Sequence, residues 1–325
     1  IAGQDVRLAL RHPAAIDLLA GPRATREPAR IEIVGLGTAQ QSWEVDIQPI
    51  REDRLLVLLF DQSGRQATER MRVDFVANAS HELRTPLAGI LGFIETLRDP
   101  VAGADQATRE RFLTIMDGEA RRMQRLVDDL MSLSRIEADK YRAPDQPVTL
   151  APLIAEVASV FRQGQNKRGQ DVVVVPLPPD LPAVRGDRAQ LSQLLHNLIS
   201  NALKYGTPGT AVTVAARPLE SGMVEIKVVD QGDGIQPEHL PRLTERFYRV
   251  DSSRSRAMGG TGLGLAIVKH IVQRHGGLLH LDSTVGVGTT VRVELPPFAA
   301  GPAVPADGRS LAGPAKSEDN VTKAQ

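Results

Sequence analysis

Apolar residues at Val76, Ala79, Leu83, Leu87, Ile90, Ile94 and Leu97 recur at steps of three and four residues. Such a seam lets one helix pack in a bundle, and it predicts a helix from about Gly64 to about Arg98. Pro86 lies inside it and should kink it, because proline removes a backbone donor. A second helix is expected over about Thr108–Lys140, with Phe112, Ile115, Met116, Met123, Leu126, Leu130 and Leu133 on one stripe. Glu119 falls inside that stripe, and the pattern does not explain it. Residues 99–107 supply the turn. Two helices with one apolar face each leave a core unfinished, so two copies of the hairpin are expected to pair as a four-helix bundle, a homodimer with two-fold symmetry.

Upstream, Trp43, Val45 and Ile47 alternate with Glu44, Asp46 and Gln48, the period of a half-buried strand. Ile31–Val34 and Leu55–Phe60 read as two more strands. Residues 1–63 resemble the C-terminal part of a truncated PAS-like sensory domain; a small independent β element is the alternative. Residues 64–140 form the helical region, and 141–147 a proline-containing linker. Over 148–297, helical patterns (Leu150–Arg162, Asp187–Tyr205, Leu263–Arg274) alternate with strand patterns (Val172–Val175, Ala211–Ala216, Met223–Asp230, Leu278–Asp282, Thr289–Leu295). That mixture suits one α/β sandwich. Residues 298–325, rich in Ala, Pro, Gly and charge, are expected to be disordered.

Composition narrows the options. The 325 residues hold 39 Lys+Arg against 39 Asp+Glu, so no global basic field recruits nucleic acid, and none is expected as a partner. With no cysteine, disulfides, thiol nucleophiles and thiolate metal sites are excluded. The longest apolar runs, such as Leu55–Phe60 and Val172–Val175, are too short to span a bilayer. Since the chain opens on Ile1 rather than Met, it is expected to be a fragment or a trimmed piece, so a missing membrane segment says little about the intact protein.

The candidate chemistry begins at His81 in Phe75–Leu87. Advancing about 100° per residue, His81 lies roughly 160° from the centre of the apolar stripe, and Thr85 shares its outward face one turn on. A lone surface histidine is ordinarily inert, so this one needs a partner that supplies chemistry. Four clusters in the second half qualify. Asn197 and Asn201 sit four apart on one helix face, where amide oxygens suit a divalent cation such as Mg²⁺, and Lys204 nearby can meet phosphate. Asp230 ends an apolar strand, placed to accept from an exocyclic amine, and Gly232 and Gly234 allow close approach to a planar base. Pro237 at the third fingerprint position rules out the dinucleotide motif. Phe247, Tyr248 and Arg249, ahead of Ser252–Arg256, suit a lid over phosphates or a merely solvated loop. Finally, Gly260, Thr261, Gly262, Leu263 and Gly264 open a helix whose backbone donors form an anion site, unless the run is a ligand-free hinge.

Taken together, these motifs resemble the Bergerat-type (GHKL) ATP-binding domain of bacterial sensor histidine kinases, and Phe75–Leu87 resembles the phosphoacceptor box of the same family. The motifs around Leu243–Asp251 and Met258–His270 are similar to those of phosphate-regulon sensor kinases. The resemblance covers about residues 64–297. It implies a two-component transferase that uses ATP and Mg²⁺ and is built as a dimeric helical hairpin followed by the α/β sandwich. In it His81 is the phosphoacceptor, Glu82 orients or deprotonates it, and Thr85 positions a water for dephosphorylation of the regulator. Asn197 and Asn201 contact Mg²⁺ and phosphate, Lys204 and Tyr205 flank the nucleotide, Asp230 reads adenine, and Arg249 and the glycine run hold the phosphates. The partner is the receiver domain of a response regulator acting in trans, and the resemblance implies a cytoplasmic fragment of a protein held in a bacterial inner membrane by segments outside this sequence. Gln231 stands where Asn is more usual, and Asp61-Gln-Ser63 stands where the sensory domains often end Asp-x-Thr. The competing readings are a nucleotide-sensing dimeric scaffold that transfers nothing and an ATPase of the chaperone or topoisomerase kind.

Overall fold

In the computed structural model, residues 12–13, 15–16, 28–34, 41–51, 54–99, 105–139, 142–164, 167–251 and 259–298 are described. Residues 299–325 of the expected disordered tail, residues 252–258 and most of the 99–107 turn lie outside them, while Phe298, the first residue of that tail, donates its amide to the Ala183 carbonyl at 2.7 Å. The chain divides into two compact units. One contains Ile1–Leu130 and Arg246–Leu263; the other contains Met131–Glu245 and Gly264–Gln325.

The first unit opens with an antiparallel sheet of β1 (Ala29–Val34), β2 (Ser42–Arg51) and β3 (Arg54–Asp61), in that order. Ile31 faces Val45, and Val45 faces Leu59, so the apolar alternation seen in the sequence falls on one face. Ala15, Ile33, Val45 and Ile47 are buried there, with Ile31 and Val57 packed against them. At roughly 1.5–3 kcal/mol per buried Ile or Val, this is a small core. The opposite face carries charge: Arg30 pairs with Glu44 at 3.0 Å and with Asp46 at 3.4 Å.

Sheet and helix meet at Asp61-Gln-Ser63. The Ser63 amide donates to Asp61 Oδ1 (2.9 Å), the Ser42 amide donates to Ser63 Oγ (3.0 Å), and the Gln62 amide donates to the Ser42 carbonyl (2.8 Å). Bonds from the Ser63 side chain and then its backbone hold the Asp61 carboxyl below its ordinary range. The serine that replaces the more usual threonine therefore keeps the hydroxyl that joins β2 to the first turn of the helix.

Helix α1 (Ser63–Arg98) continues through Pro86, which is buried, and α2 (Gln106–Ala138) follows the turn. Proline withholds the donor that the Glu82 carbonyl, four residues back, would otherwise meet. Phe93 and Phe112 pack at 4.9 Å between ring centroids near the turn end of the hairpin. The seam is only half covered within one chain. Val73, Val76, Leu87, Leu91 and Ile94 on α1, with Leu113 and Val127 on α2, remain exposed.

The second unit holds a five-stranded sheet ordered β5 (Val172–Val174), β7 (Val212–Pro218), β8 (Val224–Val229), β10 (Gly288–Leu295) and β9 (Leu278–Thr284). Only the β5–β7 pair is parallel. Helices α3 (Leu150–Gln163), α4 (Arg188–Tyr205) and α5 (Gly264–Arg274) supply the other layer. Leu153, Ile154, Leu194, Leu198, Ile226, Ile267 and Leu295 belong to the resulting core. This is the α/β sandwich expected from the sequence. One detail differs: Gln146 and Pro147, read as linker, belong to strand β4 (Gln146–Val148), which pairs with β6 (Val184–Gly186). Two three-residue strands are too short to show a period.

An Asp187 cap starts α4, its Oδ1 accepting from the Ala189 and Gln190 amides. The buried His275 ring closes the same corner. Nδ1 donates to the Ile271 carbonyl (2.8 Å), and Nε2 accepts from the Asp187 amide (3.0 Å). Among the described residues, no helix is long and apolar enough to cross a membrane.

Candidate functional site

In the first unit, His81 is exposed on α1, as its angle from the stripe requires. Thr85, also exposed, donates its hydroxyl back to the His81 carbonyl at 3.2 Å. Glu82 points elsewhere. Its Oε2 accepts from Arg122 Nη2 on α2 (2.9 Å) and from Arg249 Nη2 (2.9 Å). Arg122 Nη1 also lies 3.5 Å from Glu119 Oε2, which accounts for the acidic residue in the apolar stripe. Half-buried ion pairs of this kind persist only when each charge has a partner.

Arg249 belongs to the segment Arg246–Leu263, which side chains join to the hairpin. Phe247 lies 5.9 Å from Phe75 between ring centroids, and the Arg246 guanidinium sits 5.1 Å above the Phe75 ring. Thr261 Oγ1 donates to Asp129 (2.7 Å). Phe247 adopts φ +64°, a left-handed conformation unusual for a bulky residue. The turn it makes lets the Phe247 amide donate to the Gly262 carbonyl at 2.8 Å. Gly262 has φ +74°, and a Cβ there would sit 2.9 Å from Phe247 Cα and 3.2 Å from Arg249 Nε. Glycine is therefore required at this position. Gly260 and Leu263 are buried beside it.

In the second unit, Asp230 follows β8 and is 9% exposed. Its Oδ1 accepts from the Thr289 amide at 3.3 Å, and burial pushes its carboxyl up to about 6 despite that bond and one from the Gly232 backbone. A Cβ at Gly232 would lie 2.3 Å from the Tyr205 carbonyl, and one at Gly234, with φ +68°, would lie 2.1 Å from the Thr284 carbonyl. Neither position has room for a side chain, so the backbone itself forms the wall next to the acid. Gln231 is exposed, with its carbonyl accepting from the Thr207 amide at 2.7 Å, so the departure from Asn leaves the backbone contact intact. The two asparagines of α4 meet Gly264, where a Cβ would stand 3.6 Å from Asn197 Oδ1 and 3.8 Å from Asn201 Nδ2. Asn197 Nδ2 is buried without a partner among the described residues. Lys204 is half-buried in the last turn of α4, and Tyr205 is exposed.

These features fit a nucleotide. A desolvated acceptor stands beside a side-chain-free wall, and two amides face a helix start opened by glycine, one of them with an unmet donor. Among the described residues, no cluster of three or more His, Cys, Asp or Glu could hold a metal alone. A magnesium ion would then need phosphate oxygens to complete a shell begun by Asn197 and Asn201, its common arrangement with nucleotides.

The structure thus joins Glu82, Arg249 and Gly262 in one unit, and Asn197, Asn201 and Gly264 in the other, with Asp230, Gly232 and Tyr205 forming a second group there. Sequence reasoning missed Arg122, Asp129, Phe75 and the turn at Phe247. Glu119 and Arg122, one turn apart in an otherwise apolar stripe, were the signal for the first of these.

Comparison with known proteins finds two matching families along the chain. Residues 71–139 match the His Kinase A (phospho-acceptor) domain, and residues 186–299 match the histidine kinase-, DNA gyrase B- and HSP90-like ATPase family. The phosphate regulon sensor protein PhoR of Pseudomonas aeruginosa is 38% identical over 91% of this chain and 65% of its own length. The sensor histidine kinase WalK of Bacillus subtilis is 37% identical over 75% of this chain and 40% of its own. The sensor-like histidine kinase SenX3 of Mycolicibacterium smegmatis is 38% identical over 76% and 64%. The chain therefore spans between two fifths and two thirds of these relatives. Among solved structures, full-length ShkA in complex with AMPPNP shares 25% identity at a TM-score of 0.50, covering 72% of this chain and 47% of that one. The histidine kinase AdeS of Acinetobacter baumannii has the same fold at a TM-score of 0.51, with 23% identity over 67% of this chain and 98% of its own.

Proposed function

The chain belongs to the sensor histidine kinases that join a phosphoacceptor hairpin to an HSP90-like ATPase domain, and from that premise we propose that it phosphorylates itself on His81 from ATP. The phosphoryl group then passes to an aspartate on the receiver domain of a separate response regulator. The observation that carries this reading is an exposed His81 followed directly in sequence by Glu82, whose carboxylate is already bonded to Arg249 of the glycine-run segment.

Imidazole supplies a free-base nitrogen near neutral pH, which suits it as nucleophile. Glu82 accepts the proton on the other ring nitrogen, and a His81 nitrogen forms the new bond to the γ-phosphorus as the bond to the β-γ bridging oxygen breaks, leaving ADP. Asp230 orients the adenine, and Arg249 and the Gly260–Gly264 amides hold the phosphates. Asn197 and Asn201 would hold a magnesium ion, which would supply neutralisation of phosphate charge; positioning by the chain's own residues supplies the rest of the catalysis. Thr85, one turn beyond His81, orients the water that returns the regulator to its unphosphorylated state. A second copy covers the exposed stripes of α1 and α2, completing a four-helix bundle. The similarity to PhoR across nine tenths of the chain favours phosphate limitation as the stimulus and a protein anchored in the membrane outside the described helices.

Labelled ATP tests the kinase assignment. His81→Gln is expected to abolish acid-labile labelling while nucleotide still binds. Nucleotide binding by the unaltered chain with no phosphohistidine would instead mark a nucleotide-sensing scaffold. Phosphotransfer profiling against purified receiver domains identifies the regulator.

A further inference from the structure

Arg249 is unusually placed for a residue assigned to phosphate. Its side chain is 6% exposed, and the partner it has is not a ligand but Glu82, the base of the proposed reaction. A guanidinium offers five donors in a fixed fork. Arg249 spends Nη2 on Glu82, while its Nε is buried with no partner among the described residues. That unmet donor faces Gly262, since a Cβ there would come within 3.2 Å of it. One face of the arginine thus holds the carboxylate, and the other is turned toward the loop that offers backbone donors to an anion. Glu82 has a second, independent anchor: Arg122, whose side chain is 10% exposed, reaches the same Oε2 from α2. Phe247 holds Arg249 in this place through a left-handed turn, its ring against Phe75.

Building on the kinase reading, we propose that Glu82 and the terminal phosphate of ATP compete for Arg249, and that Arg122 is the positioning residue that keeps Glu82 in place when Arg249 leaves. Without nucleotide, Glu82 is flanked by two guanidinium groups and its oxygen is committed to both. When a phosphate claims Arg249, one of those cations departs and Glu82 retains a single anchor, with greater capacity to accept the imidazole proton. The base is released by the arrival of the substrate it serves. Because linkage is reciprocal, the carboxylate must also oppose nucleotide binding.

The test is the affinity of the whole chain for magnesium-ATP, measured by calorimetry, with no turnover required. Glu82→Gln removes the competing charge and is expected to tighten ATP about five- to tenfold. Arg122→Gln leaves Glu82 to Arg249 alone and is expected to weaken ATP about threefold. Both effects should vanish, to within about twofold, in an Arg249→Gln background. Structural damage has no reason to give opposite signs or to depend on Arg249. Backbone amide exchange at 247–249 without nucleotide should also speed up in Glu82→Gln. Single variants that shift affinity in the same direction, effects that persist without Arg249, or unchanged exchange would overturn the proposal. If the unaltered chain binds no ATP, the kinase reading falls as well; if it binds ATP normally and only the variants fail to separate, the competition alone is wrong.

Discussion

Asp230 and Glu82 are both carboxylates assigned to work on a nucleotide, and the two units hold them by opposite means. Asp230 is fixed by backbone: amides of Thr289 and Gly232 bond it, and the glycines beside it pack against carbonyls with no room for a side chain. Nothing there can exchange without moving strands. Glu82 is held only by side chains, two guanidinium groups that meet on one oxygen. Side-chain partners can be traded on a rotamer timescale, whereas strand backbones cannot. On the proposed reading, recognition uses a preformed wall, and the step that responds to substrate uses exchangeable charge.

The most severe way to break that contrast is to disturb the wall. Gly234→Val combines a left-handed φ with a carbonyl 2.1 Å from the new Cβ. It is expected to destabilise the chain by roughly 2–4 kcal/mol and to abolish ATP binding, as read by urea unfolding and calorimetry. Next comes the corner beneath α4. His275→Ala leaves the Asp187 amide without its partner, while the Ile271 carbonyl keeps the bond from the backbone amide of residue 275, at a cost of about 1–3 kcal/mol. Burial pushes the His275 imidazole below its ordinary 6.5. Its neutral form is the folded one, so its stabilisation is complete above pH 6.5 and is lost as pH falls toward the lowered value. Unfolding curves between pH 7.5 and 5 should fall more steeply for the unaltered chain than for the variant, the difference between the two being the His275 contribution.

Asp230→Asn gives a smaller and two-signed effect. ATP should bind about tenfold to a hundredfold more weakly, because the acceptor of the exocyclic amine loses its charge. The nucleotide-free chain should become more stable at pH 8, since the folded carboxyl, raised to about 6 from 3.8, is costly when ionised. For the same reason, Asp230 contributes stability below pH 3.8 that is lost as pH rises through about 6, whereas ATP affinity should fall as pH drops below about 6. Smallest of all, within the first unit, Ser63→Ala removes the hydroxyl that accepts from the Ser42 amide, and should cost about 0.5–1.5 kcal/mol, detectable as faster amide exchange at Ser42. Ser63→Thr keeps the hydroxyl and should be close to neutral.

Long-period features were the most legible in the sequence. Both helices of the hairpin follow from three- and four-residue spacing, and their ends fall within about two residues of expectation. The strand ending at Asp230 and the glycines after it were readable because burial and close backbone approach each demand a residue type. The Glu82–Arg122 pair was only half readable: charge in the stripe at Glu119 and Arg122 marked one end, but nothing pointed to a partner forty positions away on the other helix. The left-handed Phe247 carries no composition signal at all, since the favourable contact that supports it, the Phe75 ring, lies far away in sequence. Strands β4 and β6 were missed because three residues cannot display alternation. What was lost, in each case, is pairing at a distance.

The central claim is that the γ-phosphorus of ATP ends on His81. Phosphorus-31 NMR of the purified chain after incubation with magnesium-ATP, repeated for His81→Gln, tests it most directly. A phosphoramidate resonance in the unaltered protein that disappears in the variant is the predicted result. A spectrum containing only nucleotide and free phosphate, or a phosphoramidate that survives the substitution, would contradict it.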